Sequence, residues 1–154
     1  MPRPYHSFTD SEGNTWDHYS DEYGGVIRTY DRLNGKLHGV FRKDDVSGYP
    51  IEKREYRHGK LHGEQFAWVD FAPDDVYGEP VDPTPVVVCT MYADGVMSGH
   101  TETWAYDHDE CRKTRLVEDG FYLDGVRHGT FCFYAENGEI VDDVEYRYGQ
   151  QMDH

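Results

Sequence analysis

A six-residue phrase with two glycines recurs along the chain and constrains the fold more than any other feature of the sequence. Its first copy is Asn34-Gly35-Lys36-Leu37-His38-Gly39; further copies begin at residues 58, 94 and 124, and a truncated fifth occupies 148–152. The first glycines of successive copies are 24, 36, 30 and 24 residues apart. This spacing predicts a repeat protein whose unit is about 24 residues long and carries insertions.

Each phrase is typical of the turn of a β-hairpin. Asn-Gly and Asp-Gly favour type I′ turns, in which both central residues have positive φ, and glycine has no Cβ to clash there. Strand-like segments flank the turns, for example residues 53–56 before the second copy and 64–68 after it. We therefore predict an all-β chain with one hairpin per unit.

Aromatic residues occupy fixed positions relative to these glycines. A tyrosine lies three residues before the first glycine in four copies, and an aromatic residue lies five residues after the second glycine in three. Stacked hairpins would align these positions into aromatic ladders, each cross-strand pair contributing about 0.2–1 kcal/mol. The second glycine would let neighbouring rings lie against the backbone. The residues assigned to the structural repeat are Gly35, Gly39, Gly59, Gly63, Gly95, Gly99, Gly125, Gly129, Tyr56, Tyr92, Tyr122, Tyr146, Trp68, Trp104 and Tyr134.

The phrase Tyr-x-x-Gly-Lys-x-His-Gly at residues 56–63 resembles the MORN repeat (membrane occupation and recognition nexus), in particular the bacterial variant of the YwqK-like antitoxins. The resemblance covers about residues 26–152. It implies an all-β fold, an elongated single-layer antiparallel sheet of successive β-hairpins, and the role of an antitoxin or immunity protein. The classical eukaryotic repeat is shorter and carries a second Gly-x-Gly and a tryptophan, which these units lack, so its lipid binding does not carry over.

Two segments depart from the repeat. We expect residues 1–25, rich in Asp, Ser and Gly, to form an N-terminal cap or to be partly disordered, and residues 26–154 to form the repeat domain. Residues 70–85 contain four prolines and no basic residue. Insertions in a repeat protein project from one edge, so this acidic insert is the first candidate for a functional loop.

Composition narrows both the fold and the partners. Leu, Ile, Val and Phe make up only 29 of the 154 residues, whereas aromatic residues reach 15%. Aromatic side chains bury a large apolar body and keep a polar edge in water, so a thin core is sufficient. The net charge of −15 disfavours direct binding to nucleic acid or to an anionic membrane and favours a basic protein partner.

The sequence shows no signal peptide and no membrane span, because its longest apolar run is only residues 86–89. Cys89, Cys111 and Cys132 are odd in number and lack CxxC spacing, so they predict neither a disulfide framework nor a zinc cluster. We therefore expect a cytoplasmic protein with free thiols.

The chemistry-bearing residues do not form a catalytic pattern. His38, His62 and His128 share one repeat position, but successive hairpins would place them about 9–10 Å apart, too far for one metal ion. We assign these histidines a structural role. The stretch 107–111 contains Asp, His, Glu and Cys, yet neighbouring strand residues alternate faces, and we interpret the stretch as a solvated turn. We expect no enzymatic activity, no cofactor and no metal site.

Acidic residues are concentrated toward the C-terminal half. Residues 1–77 carry a net charge of −4 and residues 78–154 one of −11. These acids either form a partner-binding surface or keep a tyrosine-rich sheet soluble and discourage edge-to-edge pairing. The acids that we predict to bind the partner are Asp74, Asp75, Glu79, Asp82, Asp107, Asp109, Glu110, Asp142, Asp143 and Glu145.

Three functions are compatible with these features. The first is an immunity protein or antitoxin that neutralises a toxin, for example a basic nuclease, by direct binding through the acidic surface. The second is a MORN-type scaffold or adaptor that holds a peptide or another domain on the aromatic face. The third is an acidic DNA mimic that inhibits a defence protein. The sequence leaves the oligomeric state open.

Overall fold

The computed structural model describes residues 4–71 and 84–152. In these residues the chain is all-β, and its 15 strands form one open antiparallel sheet. The predicted fold class, a single sheet of successive hairpins, is confirmed.

The strands are distributed over two compact units, Met1–Phe66 with Tyr92–Val96, and Ala67–Met91 with Met97–His154. In chain order they are β1 His6–Thr9, β2 Thr15–Tyr23, β3 Val26–Leu33, β4 Lys36–Leu37, β5 Gly39–Asp45, β6 Pro50–Arg57, β7 Lys60–Leu61, β8 Gly63–Phe71, β9 Thr84–Ala93, β10 Val96–Asp107, β11 Arg112–Leu123, β12 Val126–Arg127, β13 Gly129–Tyr134, β14 Ile140–Arg147 and β15 Gln150–Gln151.

The sheet order follows the chain order, as a succession of hairpins requires. It runs β1-β2-β3-β5-β6-β8-β9-β10-β11-β13-β14-β15, while the two-residue strands β4, β7 and β12 pair with β3, β6 and β11. The described part of the predicted cap, residues 4–25, contributes β1 and β2. Strand β2 pairs with β3 from Trp16↔Leu33 to Tyr23↔Val26. Most of the predicted acidic insert, 72–83, lies outside the described residues.

The hairpin turns have the backbone conformation that the sequence predicts. Asn34 and Gly35 have φ angles of 50° and 84°, and Asp124 and Gly125 have 49° and 87°. The other three copies match them closely. Positive φ at both central residues defines the type I′ turn, whose twist fits that of the strands it joins.

The second glycine of each copy also needs its conformational freedom. Gly39, Gly63, Gly99 and Gly129 have φ angles of 86°, 89°, 116° and 82°. In three copies this glycine begins the long strand that follows the turn, two residues after the short strand ends. A left-handed residue at this point shifts the returning strand by one position, as a β-bulge does.

The histidines of the phrase connect each turn to the next. In each case Nδ1 accepts a hydrogen bond from the backbone N–H of the residue that opens the following turn. The bonds join His58 to His38, Asp94 to His62 and Tyr148 to His128, at 3.1, 3.4 and 3.2 Å. The first glycine of each following copy also donates its N–H to a carbonyl of the preceding copy, at 2.7–2.8 Å. The histidines therefore make structural hydrogen bonds.

The centre of each unit is an aromatic row. In the first unit, Tyr19, Tyr30, Phe41 and Tyr56 follow one another across four strands, with ring centroids 4.8, 5.2 and 6.4 Å apart. Tyr30 is only 6% exposed. Because rings on neighbouring strands meet on one face, the row provides a core without a second layer.

In the second unit, Phe131 occupies the centre of the corresponding row. Its ring lies 5.9 Å from that of Tyr122 and 5.3 Å from that of Tyr146, and the side chain is 1% exposed. A Cβ at Gly120 would lie 2.4 Å from the Phe131 ring. The predicted contact between an aromatic ring and glycine backbone is thus found at Gly120, outside the repeat phrase. At Gly129, by contrast, a Cβ would meet no atom within 4 Å.

The buried position of the repeat is two residues after the second glycine, a position that the sequence analysis did not single out. It holds Gln65, Thr101 and Phe131, which are buried, and Phe41, which is half-buried; Gln65 and Thr101 are 8% and 9% exposed. The Gln65 Oε1 accepts the N–H of Glu55 at 2.7 Å, and Nε2 donates to the Glu55 carbonyl at 3.2 Å. These bonds satisfy a polar side chain at a position where other copies place a ring.

The predicted ladder five residues after the second glycine has a different structure. The Trp68 ring meets Tyr106, with centroids 5.9 Å apart. The Trp104 ring lies 5.0 Å from the ammonium of Lys113, and the Tyr134 hydroxyl donates to a carboxylate. These side chains therefore each have local partners on nearby strands.

Candidate protein-binding surface

Strand β14 carries three of the predicted binding acids, Asp142, Asp143 and Glu145. Asp142, Asp143 and Glu145 are exposed, whereas Val144 and Tyr146 are half-buried. Successive strand residues point to opposite faces, so Asp142 shares the face of the Phe131 row, and Asp143 and Glu145 lie on the other face. The three acids therefore do not form one patch.

The face that contains Asp143 is acidic across four strands. Strand register pairs Glu102 with Asp119, Asp119 with Cys132, and Cys132 with Asp143. Three carboxylates thus lie in one row from β10 to β14, interrupted only by the cysteine. Glu145 is two residues further along β14 on the same face. We call Glu102, Asp119, Asp143 and Glu145 the acidic face.

Two members of the acidic face are held by aromatic donors. Trp104 Nε1 donates to Glu102 at 2.6 Å, and the Tyr134 hydroxyl donates to Asp119 at 2.9 Å. The bond to the Asp119 carboxylate raises the pKa of Tyr134 to about 12, because ionising the phenol would remove the donor and place two negative charges together. These bonds orient both carboxylates.

A further carboxyl, Glu118, lies on the opposite face, beside Phe133 in the strand register. Burial raises the pKa of Glu118; the guanidinium of Arg127 opposes that effect, and the charge of Asp119 adds to it. Arg127 itself is placed over the rings of Phe131 and Tyr146, at 5.1 and 5.3 Å. The face of the aromatic row is therefore partly neutralised.

The two units differ in how far their charges are compensated. Among the described residues, the ion pairs of the first unit include Asp21 with Arg28 at 2.8 Å and Glu52 with Lys43 at 3.5 Å. In the described residues of the second unit, the single ion pair joins Glu110 to Arg112. No ion pair in these residues neutralises the acidic face. The negative potential is thus strongest where bases are scarce.

The remaining predicted binding acids have other positions. Asp107 caps its turn, since its Oδ1 accepts the N–H groups of Asp109 and Glu110 at 2.9 and 3.2 Å. Asp109 and Glu110 are exposed in that turn. Asp74, Asp75, Glu79 and Asp82 lie outside the described residues. The structure brings none of the turn acids into the row from Glu102 to Asp143.

Glu102 and Asp119 are members of the surface that the sequence analysis did not list as binding residues. Their proximity to Asp143 depends on strand register, which is set by the bulges and turns of three hairpins. The register of β10 and β11 shifts between Thr103 and Trp104, so the paired residues cannot be found by counting outward from the turn. The sequence signal for them is an aromatic residue two positions after the acid, Trp104 after Glu102 and Phe121 after Asp119.

Residues 108–111 form the turn that joins β10 to β11. Cys111 is exposed with a φ of 53°, and its Sγ lies 3.2 Å from the His108 carbonyl oxygen. Within residues 4–71 and 84–152, no group of three His, Cys, Asp or Glu side chains is arranged to hold a metal ion. All three cysteines are in the described residues and none forms a disulfide. No helix in the described part is long and apolar enough to span a bilayer.

A cleft of about 390 Å³ in the first unit was not predicted. Its lining consists of His6, Phe8, Trp16, His18 and Asp31. The Nδ1 atom of His18 lies 2.6 Å from the Asp31 carboxylate, and the rings of Phe8 and Trp16 are stacked with centroids 6.5 Å apart. The cleft combines an aromatic wall with a histidine–carboxylate pair.

Comparison with known proteins does not place the chain in a family. No protein-family model matches the sequence, and no curated protein matches it.

Proposed function

We propose that this protein is a non-catalytic, cytoplasmic binding protein of the MORN-repeat type that acts as an immunity protein or antitoxin. Its partner is a toxin with a basic surface, which it neutralises by direct protein–protein binding. The resemblance of the repeat phrase to YwqK-like antitoxins supports this function, and so does the net charge of −15.

The observation that carries the proposal is the uncompensated acidic face of the second unit. Glu102 and Asp119 lie in register on adjacent strands, Asp143 follows one strand beyond Cys132, and none of the three is neutralised by an ion pair within the described residues. Rows of like charge on neighbouring strands destabilise a sheet, so a sheet that keeps them incurs a cost that a basic partner would relieve. Complementary charge also steers the encounter and raises the association rate.

A nuclease toxin fits this surface on chemical grounds. A protein that cleaves nucleic acid presents a basic groove to the phosphates. Glu102 and Asp119 lie on adjacent strands, whose backbones are about 5 Å apart, and they present negative charge from a rigid support. A surface of this kind would occupy the groove in place of the phosphates and exclude the substrate.

Co-expression with the product of the neighbouring gene tests the proposal. We expect that product to arrest growth when expressed alone and to be tolerated when this protein is present. The double variant Asp143→Lys/Glu145→Lys should lose protection. The matched control, Glu12→Lys/Glu22→Lys, makes the same change in net charge at exposed residues of the first unit and should protect. A neighbouring product that is harmless alone, or equal protection by both variants, would contradict the proposal.

A further inference from the structure

Strand β14 has an edge that the described residues leave largely unpaired. It pairs with β13 over most of its length, but on its other side β15 pairs only with Tyr146 and Arg147. Among the backbone bonds of residues 84–152, one more lies on that side, from the Met152 N–H to the Glu145 carbonyl, at 2.8 Å. Within the described residues, the outer edge of 140–144 has no strand beside it.

Equivalent strands elsewhere in the sheet are covered at this position. Strand β11 corresponds to β14 with an offset of 24 residues, and it is paired with β12 beside the turn and then with β13. Strand β3 is paired in the same way with β4 and then with β5. The outer edge of β14 therefore has the geometry of an edge that accepts a strand.

The backbone groups at this edge follow from the alternation of an antiparallel ladder. Because the Glu145 carbonyl points outward to Met152, the N–H and C=O of Asp143 point outward as well. An incoming strand would exchange hydrogen bonds with Asp143. Near it, Ile140 and Val141 are 56% and 65% exposed, so the strand would also cover apolar surface.

The charge of β14 decides which strand this edge can accept. A second copy that paired antiparallel through the same residues would bring Asp142 and Asp143 opposite or next to their own counterparts, and facing like charges are destabilising. A strand with basic residues would instead have opposite charges across each pair. Asp142 and Asp143 point to opposite faces, so consecutive basic residues would each meet an acid.

We propose that the outer edge of β14 binds an extended basic segment of the protein partner by strand addition, with Asp143 at its centre. This inference rests on the proposed function, because the bound segment belongs to the basic partner proposed there. Main-chain hydrogen bonds supply affinity in this mode of recognition, and the side chains opposite supply specificity.

The pairing of β11 with β13 specifies the side chains of the segment. There Glu118 faces Phe133, and Asp119 faces Cys132. Applied to β14, this register places basic residues opposite Asp142, Asp143 and Glu145 and an apolar residue opposite Val144. The peptide Gly-Lys-Phe-Lys-Lys-Tyr, acetylated and amidated at its ends, meets these requirements.

The test measures binding of that peptide to the full chain by an amide NMR titration. We expect the largest shifts at the amides of Asp143 and Glu145. A peptide N-methylated at the lysine after its phenylalanine keeps its charge but cannot donate to Asp143, and we expect on the order of tenfold weaker binding. Equal binding of the two peptides would overturn strand addition.

A pair of variants tests the same point from the protein side. Asp143→Ala and Asp143→Pro remove the same charge, but only the proline also removes the outward N–H, which the ladder with β13 does not use. We expect the proline variant to bind on the order of tenfold more weakly than the alanine variant, with an unchanged circular dichroism spectrum. Equal affinity of two folded variants would overturn the proposal. If those variants also protect equally against the toxin, the proposed function survives without strand addition; if no basic protein is bound at all, the proposed function fails.

Discussion

At the scale of single residues, His38 shows how the histidine of the phrase contributes to the fold. Its Nδ1 accepts the His58 N–H, which requires an unprotonated nitrogen. Burial lowers the pKa of His38 below its ordinary value of 6.5, and the nearby charges of His58 and Arg57 lower it further. The neutral ring is therefore the form that stabilises the fold.

This histidine predicts a pH dependence whose sign follows from linkage. A lowered pKa in the folded state means that the unfolded chain binds more protons, so stability is complete above pH 6.5 and decreases as the pH falls toward the folded pKa. His38→Asn keeps an acceptor and does not titrate. We expect the melting temperature of the wild type to fall relative to that of His38→Asn as the pH decreases below 6.5. At pH 7.5 we expect His38→Ala to be about 1 kcal/mol less stable than the wild type. If the difference in melting temperature between the wild type and His38→Asn were the same at every pH, this role of His38 would be refuted.

Gly120 predicts a large effect from a small substitution. Replacing glycine by alanine in a strand usually increases stability. At position 120, however, the methyl group would overlap the Phe131 ring, which is 1% exposed and contacts the rings of Tyr122 and Tyr146. We expect Gly120→Ala to lower the free energy of unfolding by about 2 kcal/mol in denaturant titrations. Combining it with Phe131→Leu should give less than the sum of the two losses. Additive losses would show that the ring and Gly120 do not interact.

At the scale of the hairpin, the second glycine of the phrase is required for backbone conformation. A Cβ at Gly129 would meet no atom within 4 Å, yet its φ is 82°. We expect Gly129→Ala to cost about 1–2 kcal/mol of folding free energy, because an L-residue in the left-handed region is strained. Gly129→Asn should cost less, since asparagine tolerates this region. Equal stability of glycine and alanine, measured by chemical denaturation, would contradict the assignment.

The hairpins could be predicted from sequence because their cause is local. The Asn34-Gly35 pair determines its turn through φ alone, so the turn is visible without knowledge of the rest of the chain. The buried position could not be predicted, because Gln65 and Thr101 occupy it alongside two phenylalanines and are recognisable only by their hydrogen bonds. The acidic face was missed for a related reason: Glu102, Asp119 and Asp143 come together only through strand register.

At the scale of the whole molecule, the net charge of −15 is unevenly distributed along the chain. The ion pairs of the described residues increase this difference, because most of them neutralise acids of the first unit. Bases such as Arg28 and Lys43 neutralise acids of the first unit, while the acidic face of the second unit has no such partners within the described residues. Solubility requires net charge but does not require this asymmetry. In the proposed function, binding to a basic partner accounts for the asymmetry.

The most direct test of that account is the association rate with the product of the neighbouring gene, measured by stopped flow at about 50 and 300 mM salt. We expect the association rate constant of the wild type to fall at least about tenfold between the low and the high salt concentration. At low salt, Asp143→Lys/Glu145→Lys should associate about tenfold more slowly than the wild type, and Glu12→Lys/Glu22→Lys should associate at close to the wild-type rate. A rate that is independent of salt and equal in both variants would contradict the claim that the acidic face binds the partner.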